Sequence, residues 1–159
     1  MDTTNTEVSA ALIRYYESLQ ELRLLGIIRG DNIAGDIGEF FALRFLGAEL
    51  ETSQRTQSID GILNGRRVQV KYSQATQSRN INIGNPNTYD DLILVLHSRS
   101  RHFPHNNNSD FVIYTIPSSD VASNFTRLVS GKYTCTRNMI SKIESIQQRN
   151  ITYAQLSES

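Results

Sequence analysis

The stretch "SIDGILNGRRVQVKYSQ", Ser58 to Gln74, constrains the fold more than any other part of the chain. Asn64-Gly65 stands between apolar, β-prone flanks. A type I′ turn needs positive φ at both central residues, which Asn and Gly tolerate. A two-residue loop then determines the pairing: Leu63 faces Arg66, Ile62 faces Arg67, Gly61 faces Val68, Asp60 faces Gln69 and Ile59 faces Val70. Directly opposite residues share a sheet face, and side chains alternate faces along a strand. The pattern therefore predicts Asp60, Gln69 and Lys71 on one face, with Ile62. Ile59, Leu63, Val68 and Val70 fall on the other, which reads as core. A slip of one residue would scatter both sets.

Around this hairpin the chain is organised as one domain. Its 159 residues suffice to bury about two-thirds of the unfolded surface without disulfides or structural metals. The sixteen basic and sixteen acidic residues cancel, so no global field attracts polyanions and any anionic partner must be met locally. A single cysteine, Cys135, forms no internal disulfide, and no basic segment followed by an apolar run opens the chain. A cytoplasmic protein is expected. No stretch approaches the ~18 consecutive apolar residues of a membrane span, so no membrane partner is expected.

Residues 4 to 25 read as a helix, with a Thr4/Glu7 capping box and Val8, Leu12, Tyr15, Leu19 and Leu22 along one face. "NIAGDIGEFFALRFLG" is a second helix, capped by Asp31 or Asn32 and stopped by Gly47. "AELETS" suits a strand, the hairpin follows, and "INIG" offers a short pairing segment. "DDLILVLHS" and "DFVIYTI" are short, rich in Ile, Leu and Val, and predict buried strands. A short helix from Pro117 to about Phe125 and a last helix over Asn138 to Gln148 complete the reading. Helices, then strands, then helices predict an α/β domain on a mixed sheet. Its parts are an N-terminal helix (4–25), a core of about 32–117 and a C-terminal helical segment (118–159).

The second helix contains an anomaly. Gly35, Glu39, Ala42, Leu43 and Leu46 share one face, so Glu39 sits on a stripe of small and apolar residues suited to close packing on a sheet. An ionised carboxylate buried there costs several kcal/mol without a partner, and so demands a cation. The alternative places Glu39 at the edge of the stripe, in solvent and near the helix start, where the macrodipole stabilises an acid by ~0.3 to 1 kcal/mol.

Taken together, an acid on a packed helix followed by a hairpin bearing Asp, Gln and Lys resembles the PD-(D/E)xK nuclease superfamily. The matching residues are Glu39 in "GDIGEFFALRFLG", Asp60 in "SIDG", and Gln69 and Lys71 in "RVQVKYS". The resemblance spans about Asn32 to Pro117 and includes the two hydrophobic strands expected after the hairpin. It implies a restriction-endonuclease-like fold, a mixed central β-sheet flanked by helices. Most members carry an acid where this chain has Gln69, whereas the Mrr-type branch uses Gln-x-Lys.

The resemblance further implies a metal-dependent DNA endonuclease. Mg²⁺ or Mn²⁺ would be held by Asp60, the Gln69 side-chain oxygen, the Val70 carbonyl and Glu39, with Lys71 orienting the attacking water. The amide of Gln69 adds no charge, so a catalytically weak or inactive module that binds DNA or a protein is the alternative. A third reading of the hairpin is an ordinary cross-strand salt bridge between Asp60 and Lys71, contributing ~0.2 to 1 kcal/mol. Tyr72, Ser73 and Gln74 would line a substrate groove, and Arg99 and Arg101, in the loop "RSRHFPHNNN", would contact phosphates or base edges. Cutting both strands of a duplex suggests a homodimer. The first helix either supplies the dimer contact or packs on its own domain. His102 and His105 lack supporting ligands and read as loop residues.

Overall fold

The computed structural model describes residues 4–50, 59–77, 80–136, 138–144 and 146–158. Helix α1, Asn5–Leu24, opens with the expected capping box at Thr4 and Glu7. It buries Leu19 but leaves Val8, Leu12, Tyr15 and Tyr16 about half exposed. Helix α2, Ile33–Phe41, continues into a π-helical turn, Ala42–Leu46, and stops at Gly47, whose φ of 73° suits glycine. Next come β1, Glu49–Leu50, then β2, Gly61–Leu63, and β3, Arg66–Ser73. Residues 51–53 of the "AELETS" segment lie outside the described residues.

The turn between β2 and β3 has Asn64 at φ 51° and Gly65 at φ 77°, the positive pair that a type I′ turn requires. Leu63 pairs with Arg66, Ile62 with Arg67 and Gly61 with Val68, as the turn chemistry predicts. Both arginines at this tip are engaged. Arg66 holds the buried Asp91 through Nε at 2.6 Å and Nη2 at 3.1 Å. Arg67 grips Asp90 through its backbone N–H at 2.8 Å and its guanidinium at 3.2 Å. These bonds tie the hairpin to the start of the next sheet strand.

That strand, β5, Asp91–His97, runs parallel to β3, with Val68 beside Asp91 and Ser73 beside Leu96. Between the two strands the chain leaves the sheet through β4, Ile81–Gly84, and a 3-10 turn, Pro86–Thr88. β6, Phe111–Pro117, returns antiparallel to β5 and leads into α3, Ser118–Asn124. β7, Thr126–Arg127, and β8, Tyr133–Cys135, join β4 in a small second sheet, where "INIG" finds its partner. β9, Gln147–Ile151, and the short α4, Tyr153–Leu156, end the described chain. Among the described residues the main sheet has the order β1-β2-β3-β5-β6-β9, a mixed sheet in an α/β domain.

β5 is covered on both faces, which explains its unbroken apolar run. Leu92, Leu94 and Leu96 pack under α3 and the small sheet with Val121, Phe125, Ile83 and Cys135. Ile93 and Val95 pack with Val68, Val70, Phe41 and Ala42 beneath α2. Each such Val, Leu, Ile or Phe side chain contributes about 1.5–3 kcal/mol relative to exposure. Among the described residues no helix is long and apolar enough to cross a membrane.

Three expectations are corrected. The segment Asn138 to Gln148 forms a 3-10 turn, Ile140–Lys142, and the start of β9 instead of a helix. Ile140, Ile143 and Ile146 recur every three residues like a helical stripe, but they fill the core from an irregular segment. β9 then caps the otherwise open edge of β6, pairing Phe111 with Ile151 through Thr115 with Gln147, so the 118–159 segment is mixed, not helical. Ile59 packs with Leu92 and its neighbours, on the sheet face opposite Val68 and Val70, because β2 begins only at Gly61 and the alternation does not extend to it. On α2 the packed face is Gly38, Phe41 and Ala42, while Leu43 is 52% exposed.

Candidate metal centre

Because β2 pairs with β3 only as far as Gly61 and Val68, the outer edge of β3 beyond Val68 has no strand beside it among the described residues. Asp60 fills that edge. Its Oδ2 accepts the backbone N–H of Val70 at 2.7 Å and the Gln69 Nε2–H at 2.7 Å. A strand residue presents its N–H and C=O to the same edge, so the Val70 carbonyl points to the same side as its Asp60-bound N–H. With Gln69 donating through Nε2, its Oε1 is the atom left to accept. Among the described residues neither that oxygen nor Asp60 Oδ1 has a hydrogen-bond partner.

Helix α2 brings the second carboxylate. Asn32 caps it, its side chain accepting from the Gly35 N–H at 3.2 Å. Gly38 lets it approach the sheet, since a Cβ there would lie 3.0 Å from Tyr72 Cβ and 3.4 Å from Val70 Cγ1. Glu39 then stands at the margin of the packed face with its side chain 22% exposed, ion-paired to Arg29. Arg29 and the buried Asp36 were not singled out in the sequence. Asp36 Oδ2 accepts the N–H groups of Arg29 at 2.7 Å and Gly30 at 2.8 Å, folding the loop after α1 back over α2. The demand of Glu39 for a cation is thus met from an unexpected direction. The available signal was Asp36 itself, an acid one helical turn before Glu39.

Glu39, Asp60, Gln69, Val70 and Lys71 line one cavity of about 230 Å³, together with Asn32, Ala34, Gly35 and Tyr72. Four consecutive residues of β3 take part, so the cavity lies at the strand's edge and not on one face. Gln69 and Lys71 reach it from one side of the sheet, α2 from the other. Gln69 and Lys71 thus share one side of the sheet and Asp60 bonds to Gln69, while Glu39 comes to the cavity from the helix side. Asp60 and Lys71 make no direct ion pair, and among the described residues the Lys71 side chain has no hydrogen bond.

The electrostatics are those of crowded acids. Burial pushes the Asp60 carboxyl above its ordinary range, opposed by the Val70 N–H and by Lys71. Burial likewise raises Glu39; Arg29 opposes this, and the charges of Asp60 and Asp36 add to it. The donors facing the cavity are all oxygens: two carboxylates, an amide and a backbone carbonyl. That set suits a hard divalent cation such as Mg²⁺ or Mn²⁺. Only two of these donors are carboxylates, in keeping with the lack of any cluster of three His, Cys, Asp or Glu among the described residues.

The other singled-out residues divide. Tyr72 lines the cavity, and its hydroxyl donates to Gln74 Oε1 at 3.0 Å. Gln74 and Arg99 line a neighbouring cavity. Ser73 is buried, 3.3 Å from the Ser100 hydroxyl, and lines neither. Arg101, His102 and His105 border a separate cavity with Tyr114 and Ile140, residues of the core under α3. Cys135 is buried and its thiol is pushed up to about 12, which makes it unreactive. Comparison of the chain with known protein families and with curated proteins finds no match.

Proposed function

We propose that the chain is a metal-dependent DNA endonuclease of the PD-(D/E)xK type, with a restriction-endonuclease-like core and the Gln-x-Lys variant of the motif. One observation carries this reading. Glu39 from a helix, Asp60 from the approach to β2, and Gln69 and Lys71 from β3 line the same small cavity. A surface salt bridge requires none of that convergence, and the Asp60–Lys71 pair it needs is not formed.

Asp60 Oδ1, Gln69 Oε1, the Val70 carbonyl and Glu39 would hold Mg²⁺ or Mn²⁺. When bound, that ion supplies positive charge that polarises the scissile phosphate and acidifies water. The remaining chemistry falls to the chain. Lys71 Nζ, without a hydrogen bond or ion pair among the described residues, orients the attacking water and donates to the phosphate oxygens as charge builds on them. The Val70 N–H and Gln69 Nε2 keep the Asp60 carboxylate fixed. Arg29 holds Glu39 at the cavity margin and offsets its charge until a cation arrives. Two copies of the chain would cut both strands of a duplex, in the cytoplasm, in a restriction or defence role.

A specific observation supports the second reading, a weak or inactive nuclease-like module. Arg29 neutralises Glu39, and Gln69 spends an amide proton on Asp60 instead of adding negative charge. Plasmid cleavage in Mg²⁺ or Mn²⁺ decides between them. The nuclease reading expects nicking or linearisation by the purified protein and none by Lys71→Met. A protein that binds Mn²⁺ and DNA yet cuts nothing over varied salt and metal leaves only the second.

A further inference from the structure

Beyond Tyr72 the α2-side surface of the sheet continues into a cavity of about 550 Å³, lined by Gln74, Thr76, His97, Ser98, Arg99 and Tyr153. It lies at the carboxyl ends of the parallel strands β3 and β5, a common place for ligands in α/β sheets. Tyr72 joins it to the candidate metal centre: it lines that centre, while its hydroxyl bonds Gln74.

The hydrogen-bond roles here are unusually one-sided. Gln74 Oε1 already accepts from Tyr72, which leaves the amide N–H groups of Gln74 to the cavity. The Nδ1 of His97 accepts the Arg99 backbone N–H at 3.0 Å. That bond assigns the neutral tautomer with the proton on Nε2, which donates to the Tyr153 hydroxyl oxygen at 3.2 Å. Burial, with Arg99 nearby, lowers the pKa of His97 and so keeps the ring neutral. Phe111 holds the assembly in place, meeting the His97 and Tyr153 rings edge-on at 5.0 Å and 5.5 Å. The Tyr153 O–H proton is therefore not spent on His97. The nearby Asp110 carboxylate, which does not line the cavity, accepts the Tyr153 backbone N–H at 2.8 Å through Oδ2. The groups lining the cavity offer donors: the Gln74 amide, the Tyr153 and Thr76 hydroxyls, and the Arg99 guanidinium, which among the described residues has no ion-pair partner.

From this we infer that Arg99, Tyr153, Gln74 and Thr76 form a phosphate cradle that grips a backbone phosphodiester of nucleic acid flanking the one held beside Asp60 and Lys71. The inference rests on the nuclease reading for that orientation but is tested apart from it. His97 acts as a positioning residue, turning the tyrosine proton outward.

The test is anisotropy of a short fluorescein-labelled duplex over a sodium chloride series, in EDTA so that nothing is cut. Arg99→Ala is expected to weaken binding about tenfold and to lower the slope of log affinity against log salt by about 1. Arg99→Lys should keep most of the slope while losing the fork geometry. Tyr153→Phe should weaken binding severalfold with the slope unchanged, since it removes a neutral donor. Wild-type slope and affinity in Arg99→Ala overturn the cradle. Binding of inorganic phosphate, followed by ³¹P NMR and lost in Arg99→Ala, in a protein that binds no duplex overturns the assignment to nucleic acid. Metal-dependent cleavage with an unaltered Arg99→Ala slope removes the cradle alone. An Arg99-dependent slope in a protein that cuts nothing removes the nuclease reading alone.

Discussion

Asp60 accepts the backbone N–H of Val70 at 2.7 Å, taking the place of the strand carbonyl that β2 stops short of providing. One carboxylate thereby completes a sheet edge and faces a cavity. Its structural and chemical roles can be separated by substitution.

Asp60→Asn keeps an acceptor for Val70 but removes the buried charge. Because burial raises the Asp60 pKa above its ordinary 3.8, the folded state favours the protonated acid. Stability from this group is fully present below about pH 4 and is lost as pH rises through the higher folded value. Without metal, Asp60→Asn should therefore match or exceed wild type in thermal midpoint at neutral pH, with the difference vanishing below about pH 4. In Mn²⁺ the order should reverse. Wild type gains about 2.7 kcal/mol when free metal is about a hundredfold above its dissociation constant, and the variant gains little. Parallel melting curves across pH, with and without Mn²⁺, check both signs.

Arg29→Met removes the cation that opposes the upward shift of Glu39. The metal-free variant should lose about 1 kcal/mol at neutral pH, a modest figure because the pair is partly solvated. Mn²⁺ should then stabilise it more than it stabilises wild type, because the ion no longer competes with a guanidinium. Calorimetric titration of Mn²⁺ into both proteins measures the difference.

Gly38→Ala inserts a Cβ 3.0 Å from Tyr72 Cβ. Neither backbone can yield without moving α2, so a loss of about 1–3 kcal/mol is expected in urea unfolding. Glu39 moves with the helix, and weaker Mn²⁺ binding should accompany the loss.

Arg66→Met leaves Asp91, 8% exposed, without the guanidinium that clasps it. A loss of stability in urea unfolding is expected, moderated because the Arg66 side chain is itself more than half exposed to solvent. Asp91→Asn combined with Arg66→Met should recover part of it, a comparison that a double-mutant cycle reads directly.

The hairpin was legible because Asn64-Gly65 dictates a turn whose geometry admits one register, and the helix caps at Thr4 and Asn32 were legible because a short polar side chain precedes an apolar run. Strands β5 and β6 announced themselves by unbroken burial. What escaped was set by contacts distant in sequence. β9 exists because β6 needed a neighbour, a requirement that nothing in "ESIQQRNI" expresses. That Glu39 would join Asp60, Gln69 and Lys71 was an expectation carried by the family resemblance; the place of their cavity at an edge had no such signal, because it depends on where β2 ends. Arg29 reaches Glu39 only because Asp36 gathers two backbone amides from the preceding loop.

An uncovered strand flank invites other chains to add to it. By occupying the flank of β3, the aspartate also guards against such adhesion, and an alanine substitute made as a silent control would expose the bare main chain at Val70. Any clumping of that control would reflect a lost gatekeeper, not a disturbed reaction centre.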